Sequence, residues 1–317
     1  MIHILVTGGA GFIGSSLVEK LLSNPDFFVI AVDNLSTGSL EKLPKKNLDR
    51  FRFIKLNVND YNDISAVFFS YPIDYVFHYA AVVGVQRTLE QPFNVLKDIY
   101  GTENICKLSK NTKVKRVFYS SSSEVYGESV EFPQNEDTTP LNARLPYAAV
   151  KNLSEIYLKT FNQEFGLQYS IFRFFNTYGP KQNPDFVISK FIRQAFKEKK
   201  ITIYGDGSQT RTFCYINDNV DATYNHLLQC IENPNLEPKI FNIGNNNETT
   251  IVELANLINK ITNANAELVF LPALKEGDMK RRLPDITKMK QLLNRPMTSL
   301  EDGIKEILKD TKFILLE

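Results

Sequence analysis

The sequence is poor in the residues that usually bind metals or form disulfides. Among 317 residues it has no tryptophan, three cysteines and three histidines. The cysteines, Cys106, Cys214 and Cys230, are odd in number and widely spaced, which matches neither a disulfide framework nor a metal site. No apolar run approaches the ~20 residues of a membrane span, and residues 1–6 lead directly into glycines without a signal-peptide pattern. We therefore expect a cytoplasmic protein with no metal and no membrane partner.

The sequence also has no excess of positive or of negative charge. The chain carries 37 Lys and Arg against 36 Asp and Glu, for a formal net charge of +1. The basic clusters at 42–46 and 197–200 are short and have acidic neighbours, which is typical of solvated surfaces. This balance gives no electrostatic reason to expect nucleic acid as a partner.

Short β-branched or aromatic runs alternate with helical stretches in the first half of the chain. This alternation, with strands that are almost wholly apolar, predicts an α/β fold with a doubly wound parallel sheet. Helices are predicted at 12–22, about 92–110 and 147–165, the last with Pro146 in its first turn and Gly166 as its C-cap. The predicted strands are 2–6, 28–32, 51–56, 74–78, 115–120 and 168–174.

The pattern loosens after Asn176, where loop signals at 179–180, 205–207 and 245–247 interrupt it. We therefore predict a cofactor-binding domain at 1–175, with later returns to its sheet at about 212–245. Residues 176–317 are predicted to form mainly a smaller α/β substrate-binding lobe.

A glycine-rich turn follows the first predicted strand. Gly8, Gly9, Gly11 and Gly14 satisfy both Gly-x-Gly-x-x-Gly and a wider spacing, and a helix is predicted to start directly afterwards. Such a turn lets the backbone approach a pyrophosphate at a helix N-terminus. Asp33, nineteen residues after Gly14, ends the second strand and suits the adenosine ribose hydroxyls, which favours NAD over NADP. Asn57, Val58, Asn59 and Asp60 after the third strand either bracket the adenine or form an ordinary turn.

Tyr147 and Lys151 lie four residues apart on a predicted helix, so both side chains can enter one pocket. A free tyrosine titrates near pH ~10. A neighbouring ammonium group and a cationic nicotinamide can lower that pKa and make the phenolate a base. The pair predicts a dinucleotide-dependent oxidoreductase.

In order along the chain, the motifs GGAGFIG, DNLSTG, HYAA, SSSSEVYG, YAAVK, RFFNTYGP, YGDGSQTRTF and KRRLPD complete the pattern. With them the sequence resembles the extended short-chain dehydrogenases/reductases, in particular the nucleotide-sugar epimerases, dehydratases and decarboxylases. The resemblance implies a Rossmann-type sheet, NAD as cofactor and a nucleotide-diphosphate sugar as substrate. It also implies a homodimer formed by the helices at about 92–110 and 147–165.

The resemblance assigns roles residue by residue. Tyr147 is the implied base, Lys151 holds the nicotinamide ribose, and Ser122 hydrogen-bonds the reacting oxygen. The implied cofactor-binding residues are Gly8, Gly11, Phe12, Ile13, Gly14, Asp33, Asn34, Ser36, Thr37, Asn57, Val58, Tyr79, Ala80 and Ala81, with Tyr147 and Lys151. The implied substrate-binding residues are Val83, Ser122, Asn176, Arg211, Arg281 and Arg282, while 186–192 and 201–204 either cover the nucleoside base or pack in the core.

Two sets of residues disagree about the product. Ser123 stands where the 4,6-dehydratases carry an acidic aspartate, which argues against dehydration. Ser123, Glu124 and Arg282 resemble the UDP-glucuronate decarboxylases, in which the arginine faces the substrate's carboxylate. In contrast, residues 144–149 and 82–89 resemble the epimerases, and Glu124 alone can instead order its loop. Asp98 departs from the family, which usually has asparagine there.

We therefore predict oxidation at carbon 4 to a 4-keto sugar, of the 4-epimerase or 4-dehydrogenase type. The alternative is a UDP-glucuronate decarboxylase-like enzyme. A non-catalytic NAD-binding regulator is disfavoured by the intact tyrosine–lysine pair, and a reductase using exogenous NADPH by Asp33, which would repel a 2′-phosphate.

Overall fold

The computed structural model describes residues 1–315 except 84–87, 89, 129 and 274–280. Its centre is a seven-stranded parallel sheet in the order β11-β6-β5-β4-β1-β2-β3. The strands are β1 (Ile2–Thr7), β2 (Phe27–Asp33), β3 (Phe51–Lys55), β4 (Tyr75–His78), β5 (Arg116–Ser122), β6 (Tyr169–Phe174), β7 (Thr177–Tyr178), β8 (Lys200–Tyr204), β9 (Thr210–Thr212), β10 (Cys214–Tyr215), β11 (Lys239–Ile243), β12 (Glu248–Thr250) and β13 (Glu267–Leu271).

Helices cover both faces of this sheet, as the strand–helix alternation predicted. The α-helices, numbered over the described residues, are α1 (Phe12–Leu22), α2 (Tyr61–Ser70), α3 (Pro92–Leu96), α4 (Asp98–Asn111), α5 (Pro146–Phe165), α6 (Val187–Lys197), α7 (Ile216–Glu232), α8 (Ile251–Thr262), α9 (Thr287–Leu293) and α10 (Leu300–Lys309). Short 3₁₀ helices lie at Leu40–Lys42, Leu48–Arg50 and Ser123–Tyr126.

The sheet separates two apolar layers. Helices α1 and α7 pack together on one side, and α2, α4 and α5 pack on the other. Adjacent residues of β1 point to opposite layers: Ile4 and Val6 belong to one buried cluster and Leu5 to the other. This two-sided burial explains why the central strands are apolar throughout. The α/β class with a Rossmann-type parallel sheet is thereby confirmed.

Local signals placed most elements within a residue or two. Helix α5 begins at Pro146 and ends before Gly166, which has φ +71° and caps the helix in the left-handed conformation that glycine adopts most easily. The predicted helix at about 92–110 is instead divided into α3 and α4, which meet at Lys97. The late strand β11 pairs with β6 at the end of the main sheet.

The second half contributes three two-stranded pairings outside the main sheet: β7 with β10, β9 with β12, and β8 with β13. All three pairings follow β6 in the chain; Asn176 directly precedes β7, and Arg211 lies within β9. Among the helices whose residues the structure describes, we find none with the length and apolarity needed to cross a membrane.

Candidate active site

The glycine turn between β1 and α1 leaves no space for side chains. A Cβ on Gly14 would lie 2.1 Å from the Gly8 carbonyl oxygen, and Gly8 itself has φ +68°. A Cβ on Gly8 would also lie 2.8 Å from the Ala80 nitrogen. The turn therefore packs directly on the end of β4, and larger residues at either glycine would displace backbone.

Helix α1 starts immediately after this turn, so Phe12 and Ile13 form its first turn. Its N-cap, Gly11, makes no side-chain capping bond, and no acidic residue lies in the first turn. The amide groups at this end therefore face neither a capping side chain nor a local carboxylate. A helix N-terminus of this kind fits the pyrophosphate of a dinucleotide.

The Asp33 carboxylate is held rigidly at the end of β2. It accepts hydrogen bonds from the Ala10 amide at 3.0 Å and the Leu35 amide at 2.8 Å. A Cβ on Gly38 would come within 2.7 Å of it. The loop that follows contains Asn34, Ser36 and Thr37. In it, the Asn34 side chain accepts a hydrogen bond from the Ser36 amide. Asp33 is thus positioned beside the glycine turn, as an adenosine ribose contact requires.

The ends of β3 and β4 lie at the same edge of the main sheet as the glycine turn. Thr7 accepts hydrogen bonds from the Tyr79 and Ala80 amides at 3.1 Å and shares one with His78 Nδ1 at 2.8 Å. These bonds order Ala80 and Ala81 beside Gly8. Tyr79 contributes its backbone here, because its ring packs edge-on against Phe77 and Phe174.

Asn57 and Val58 form the turn after β3. The Val58 carbonyl accepts a hydrogen bond from Asn104 on α4, and buried Asn59 Oδ1 has no hydrogen-bond partner in the described part of the chain. Asn104 was not singled out from the sequence, since no local pattern connects it with the turn after β3.

Tyr147 and Lys151 come from the first two turns of α5, and Ser122 ends β5 beside them. Lys151 Nζ donates to the Ser120 carbonyl at 2.6 Å and lies 5.8 Å from the centroid of the Tyr147 ring. Ser122 Oγ accepts the Glu124 amide at 3.2 Å, which caps the 3₁₀ helix at Ser123–Tyr126. The fold thus brings the predicted base, lysine and serine into one cluster at the carboxyl edge of the sheet.

Burial dominates the electrostatics of this cluster. It raises the pKa of Tyr147 well above its ordinary value, although a hydrogen bond with Ser122 opposes the change. Burial also lowers the pKa of Lys151 to about 8, against the opposing effect of the Asp98 and Glu155 carboxylates. His78 is fully enclosed, and burial lowers its pKa to about 3, so that it is neutral at pH 7. The protein alone therefore keeps Tyr147 protonated, and a further positive charge must act on it during catalysis.

Arg282 reaches the same cluster from the distant carboxyl-terminal part of the chain. Its Nη2 lies 2.6 Å from Glu124 Oε1, and its Nη1 lies 3.3 Å from Ser123 Oγ. Arg282 is 7% exposed, and its Nε is buried without a hydrogen-bond partner among the described residues. The three residues that resemble the decarboxylases are thus in contact with one another.

The other predicted substrate residues are more dispersed. Arg281 points away from the cluster and forms a two-point ion pair with Glu248, at 2.6 and 2.9 Å. Arg211 lies on β9, and Asn176 donates its side-chain amide to the Thr212 carbonyl at 3.1 Å, so these two share one region. Val83 is 38% exposed at the start of a segment whose residues 84–87 and 89 are outside the described part of the chain.

The apolar segments at 186–192 and 201–204 are mostly core. Ile188, Ile192, Ile201 and Ile203 are at most 1% exposed. In the first segment, Phe186 is the most exposed large apolar side chain, at 40%. Core packing therefore accounts for most of these residues.

A buried polar network behind the catalytic residues was not predicted from the sequence. Glu155, one turn beyond Lys151, pairs with Arg173 through Nε at 3.0 Å and Nη2 at 2.8 Å. Its Oε1 also accepts the Ser121 hydroxyl at 2.6 Å. Arg173 donates to the Tyr126 hydroxyl at 2.9 Å, and Tyr126 donates to Asn242. The network ties α5, β5, β6 and β11 together.

The residues around the glycine turn fit NAD on structural grounds. The side-chain-free cradle of Gly8 and Gly14, the uncapped start of α1 and the oriented Asp33 carboxylate match a pyrophosphate followed by a ribose diol. Tyr147 and Lys151 lie at the same edge of the sheet, where the far end of such a dinucleotide would reach.

Comparison with known proteins agrees with this geometry. The model of the NAD dependent epimerase/dehydratase family matches residues 4–244. UDP-glucuronic acid decarboxylase 5 of Arabidopsis thaliana is 34% identical over 322 residues, covering 99% of this chain and 90% of that protein.

Two solved structures are similar along nearly their whole length. UDP-glucose 4-epimerase of Thermotoga maritima with UDP-glucose has a TM-score of 0.88 and 35% identity, covering 97% of this chain and 98% of that one. UDP-glucuronic acid 4-epimerase of Bacillus cereus with UDP-glucuronic acid and NAD has a TM-score of 0.86 and 31% identity, covering 99% of both chains. The glycine cradle, the catalytic cluster and these similarities together establish that the chain is an enzyme of the NAD-dependent epimerase/dehydratase family.

Proposed function

We propose that this enzyme oxidises carbon 4 of a nucleotide-diphosphate sugar and then returns the hydride to the resulting 4-keto sugar, as a 4-epimerase does. The observation that carries the proposal is the single cluster of Tyr147, Lys151 and Ser122 beside the glycine cradle. The similar epimerases of T. maritima and B. cereus, which act on UDP-sugars by their names, support it.

Each residue has a chemical part in this proposal. The Tyr147 phenolate takes the proton of the 4-hydroxyl group while Ser122 hydrogen-bonds the same oxygen. Lys151 stabilises the phenolate by its charge and binds the nicotinamide ribose. Bound oxidised NAD supplies the acceptor for the hydride from carbon 4. If the sugar turns its other face before reduction, the product is the 4-epimer. If the ketone leaves first, the enzyme is a 4-dehydrogenase, and an external oxidant must take up the hydride from the reduced cofactor before the next turnover.

We propose further that 1–175 binds NAD, with returns at about 212–245, and that 176–317 mainly binds the substrate. Asn176 and Arg211 are proposed to contact the diphosphate through charge-assisted hydrogen bonds, with Val83 near the sugar. Arg281 is a weaker candidate than the sequence suggested, because Glu248 already occupies its guanidinium group.

The direct test is incubation of the NAD-loaded enzyme with a panel of UDP-, GDP- and dTDP-sugars. We expect an isomer of unchanged mass, separable by chromatography from the substrate, for at least one neutral hexose or uronate. Loss of carbon dioxide identifies decarboxylation, and loss of water identifies dehydration. A panel that yields no product and no reduction of NAD would overturn the proposal.

Decarboxylation of a UDP-uronate is the second candidate, favoured by one specific observation. Arg282 is buried against Glu124 and Ser123, and its Nε has no hydrogen-bond partner among the described residues, so a planar carboxylate has a suitable donor. A carboxylate at carbon 6 of a 4-keto sugar belongs to a β-keto acid, which loses carbon dioxide readily. The similarity to the Arabidopsis decarboxylase also supports this candidate.

Replacing Arg282 with alanine separates a uronate substrate from a neutral sugar, and the mass of the product then separates decarboxylation of the uronate from its epimerisation. If the substrate is a uronate, loss of this partner is expected to cost about 2–5 kcal/mol of uronate binding or transition-state stabilisation, with little change for neutral sugars. The measurement is kcat/KM for a uronate and its neutral counterpart, with Arg52→Ala as an exposed arginine control. Equal losses for both sugars would show that Arg282 contacts the diphosphate or a hydroxyl group common to both.

We also propose that the enzyme is a homodimer formed through α3, α4 and α5. These helices carry large apolar side chains that are exposed to solvent. The exposed fractions are 70% for Phe93, 55% for Tyr100, 49% for Ile156, 45% for Leu96 and 43% for Leu153. Exposed apolar faces of this kind are usually covered by a partner, and two-fold closure is the commonest arrangement.

Light scattering at micromolar concentration is expected to give twice the chain mass. The double variant Phe93→Asp, Ile156→Asp is expected to be monomeric, because two charges would be buried without partners. Phe69→Asp, at a phenylalanine that is 72% exposed on α2, is the matched control and should remain dimeric. A monomeric native enzyme would contradict the proposal.

A further inference from the structure

Asp98, the first residue of α4, places a carboxylate beside the catalytic pair. Its Oδ2 accepts the Val82 amide at 2.6 Å, and its Oδ1 lies 3.5 Å from Asn59 Nδ2. Asp98 lines one small cavity together with Tyr147 and Lys151. The residue therefore connects the segment after β4 with the catalytic helix.

The charge of Asp98 is compensated differently from that of the neighbouring Glu155. Glu155 is neutralised by two hydrogen bonds from the Arg173 guanidinium. Among the described residues that line the cavity with Asp98, Lys151 is the one lysine or arginine. The titratable groups that face Asp98 around the cavity are Lys151 and Tyr147 from α5, Tyr119 from β5 and His78 from β4. Of these, His78 is neutral and Lys151 supplies the positive charge.

We propose that Asp98 is a positioning residue that serves as the counter-ion of Lys151 and keeps its ammonium group charged in a buried site. An asparagine of the same shape can accept the Val82 amide but carries no charge, so the aspartate adds an electrostatic function to a structural one. This sets the pH range in which Lys151 can stabilise the Tyr147 phenolate.

The direction of the effect follows from the sign of the charge. Burial lowers the pKa of Lys151 to about 8, and the Asp98 carboxylate opposes that change. Burial is the largest cause of the raised pKa of Tyr147, and the carboxylates of Glu124 and Asp98 raise it further. Removing the negative charge must therefore lower the pKa of both groups. Because the two groups interact, the rate profile reports the pair rather than either residue alone.

The test compares Asp98→Asn, which retains a side-chain acceptor for the Val82 amide, with Asp98→Ala, which removes it. In cofactor-free protein with ¹³C-labelled lysine, NMR titration of the Lys151 Cε signal gives its pKa directly, and Lys151→Met assigns the signal. We expect both variants to titrate roughly one pH unit lower than the native protein. Asp302→Asn, in the first turn of α10, is the matched control and should not change the titration.

The rate measurement adds a second readout that rests on the proposed function. With a substrate from the nucleotide-sugar panel, both limbs of the kcat profile are expected to move to lower pH in Asp98→Asn. If Asp98→Asn titrates like the native protein and only Asp98→Ala differs, Asp98 acts through the Val82 hydrogen bond and the counter-ion role is wrong. A lower Lys151 pKa without turnover of any sugar would retain this inference and overturn the proposed function instead.

Discussion

Replacing Tyr147 with phenylalanine is expected to lower kcat by roughly 10² to 10⁴, the range for removal of a general base. The hydroxyl group is the only part removed, and the ring remains in the partly buried position beside Lys151. Folding and NAD binding should therefore persist. The loss should appear in kcat, since the missing proton transfer belongs to the chemical step.

Single-turnover reduction of bound NAD, followed by absorbance, measures this step directly. Tyr157→Phe is the matched control, because Tyr157 lies on the same helix and packs against Phe161 at 6.5 Å between ring centroids. The control should reduce NAD at the native rate. Native turnover in Tyr147→Phe would exclude tyrosine as the base and with it the proposed mechanism.

The second large effect is expected on stability. Arg173 is 2% exposed and Glu155 fully buried, and their ion pair is 2.8 Å long. Arg173→Met should lower the free energy of unfolding by about 3–5 kcal/mol, because it leaves the Glu155 charge buried without its partner. The Tyr126 hydroxyl also loses a donor. Urea denaturation with an unchanged m-value measures the loss.

Two further variants test this explanation. In Glu155→Met with Arg173→Met both charges are absent, so the double variant should be less destabilised than Arg173→Met alone. Lys305→Met removes an exposed partner of Glu301 and should change stability by about 0.5 kcal/mol or less. The loss in free energy of unfolding of the double variant is compared with the sum of the losses in Glu155→Met and in Arg173→Met. A loss as large as that sum would indicate that packing, rather than an unpaired charge, causes the destabilisation.

Much of the fold could be predicted because its signals are local. The period of the apolar residues, Pro146 and Gly166 at the ends of α5, and the glycines before α1 each depend on backbone geometry within a few residues. Tyr147 and Lys151 could be paired for the same reason, since four residues on a helix define one face. The division of the predicted helix at Lys97 escaped this reasoning, because no glycine or proline marks it.

Contacts between distant segments could be identified only from the tertiary structure. The resemblance grouped Arg282 with Ser123 and Glu124, but spacing along the chain could not show which groups Arg281 and Arg282 contact. The fold turns Arg282 towards Glu124, 158 positions away, and Arg281 towards Glu248. Likewise Glu155 and Arg173 are ordinary charged residues in the sequence, and only packing of α5 on the sheet buries them together.

The sequence by itself therefore determined the α/β class and the glycine turn that suits NAD, and it predicted Tyr147 and Lys151 as the catalytic pair, because each depends on spacing along one continuous segment. Tertiary structure decided which charges come together: Arg282 contacts Glu124, Arg173 pairs with Glu155, and Asp98 shares one cavity with Lys151. These residues meet because α4 and α5 pack against the strands of one sheet and the segment that carries Arg282 reaches the same cluster, whatever their separation in the chain. Burial at this site raises the pKa of Tyr147 and lowers that of Lys151, which no pattern of residues along the chain can report.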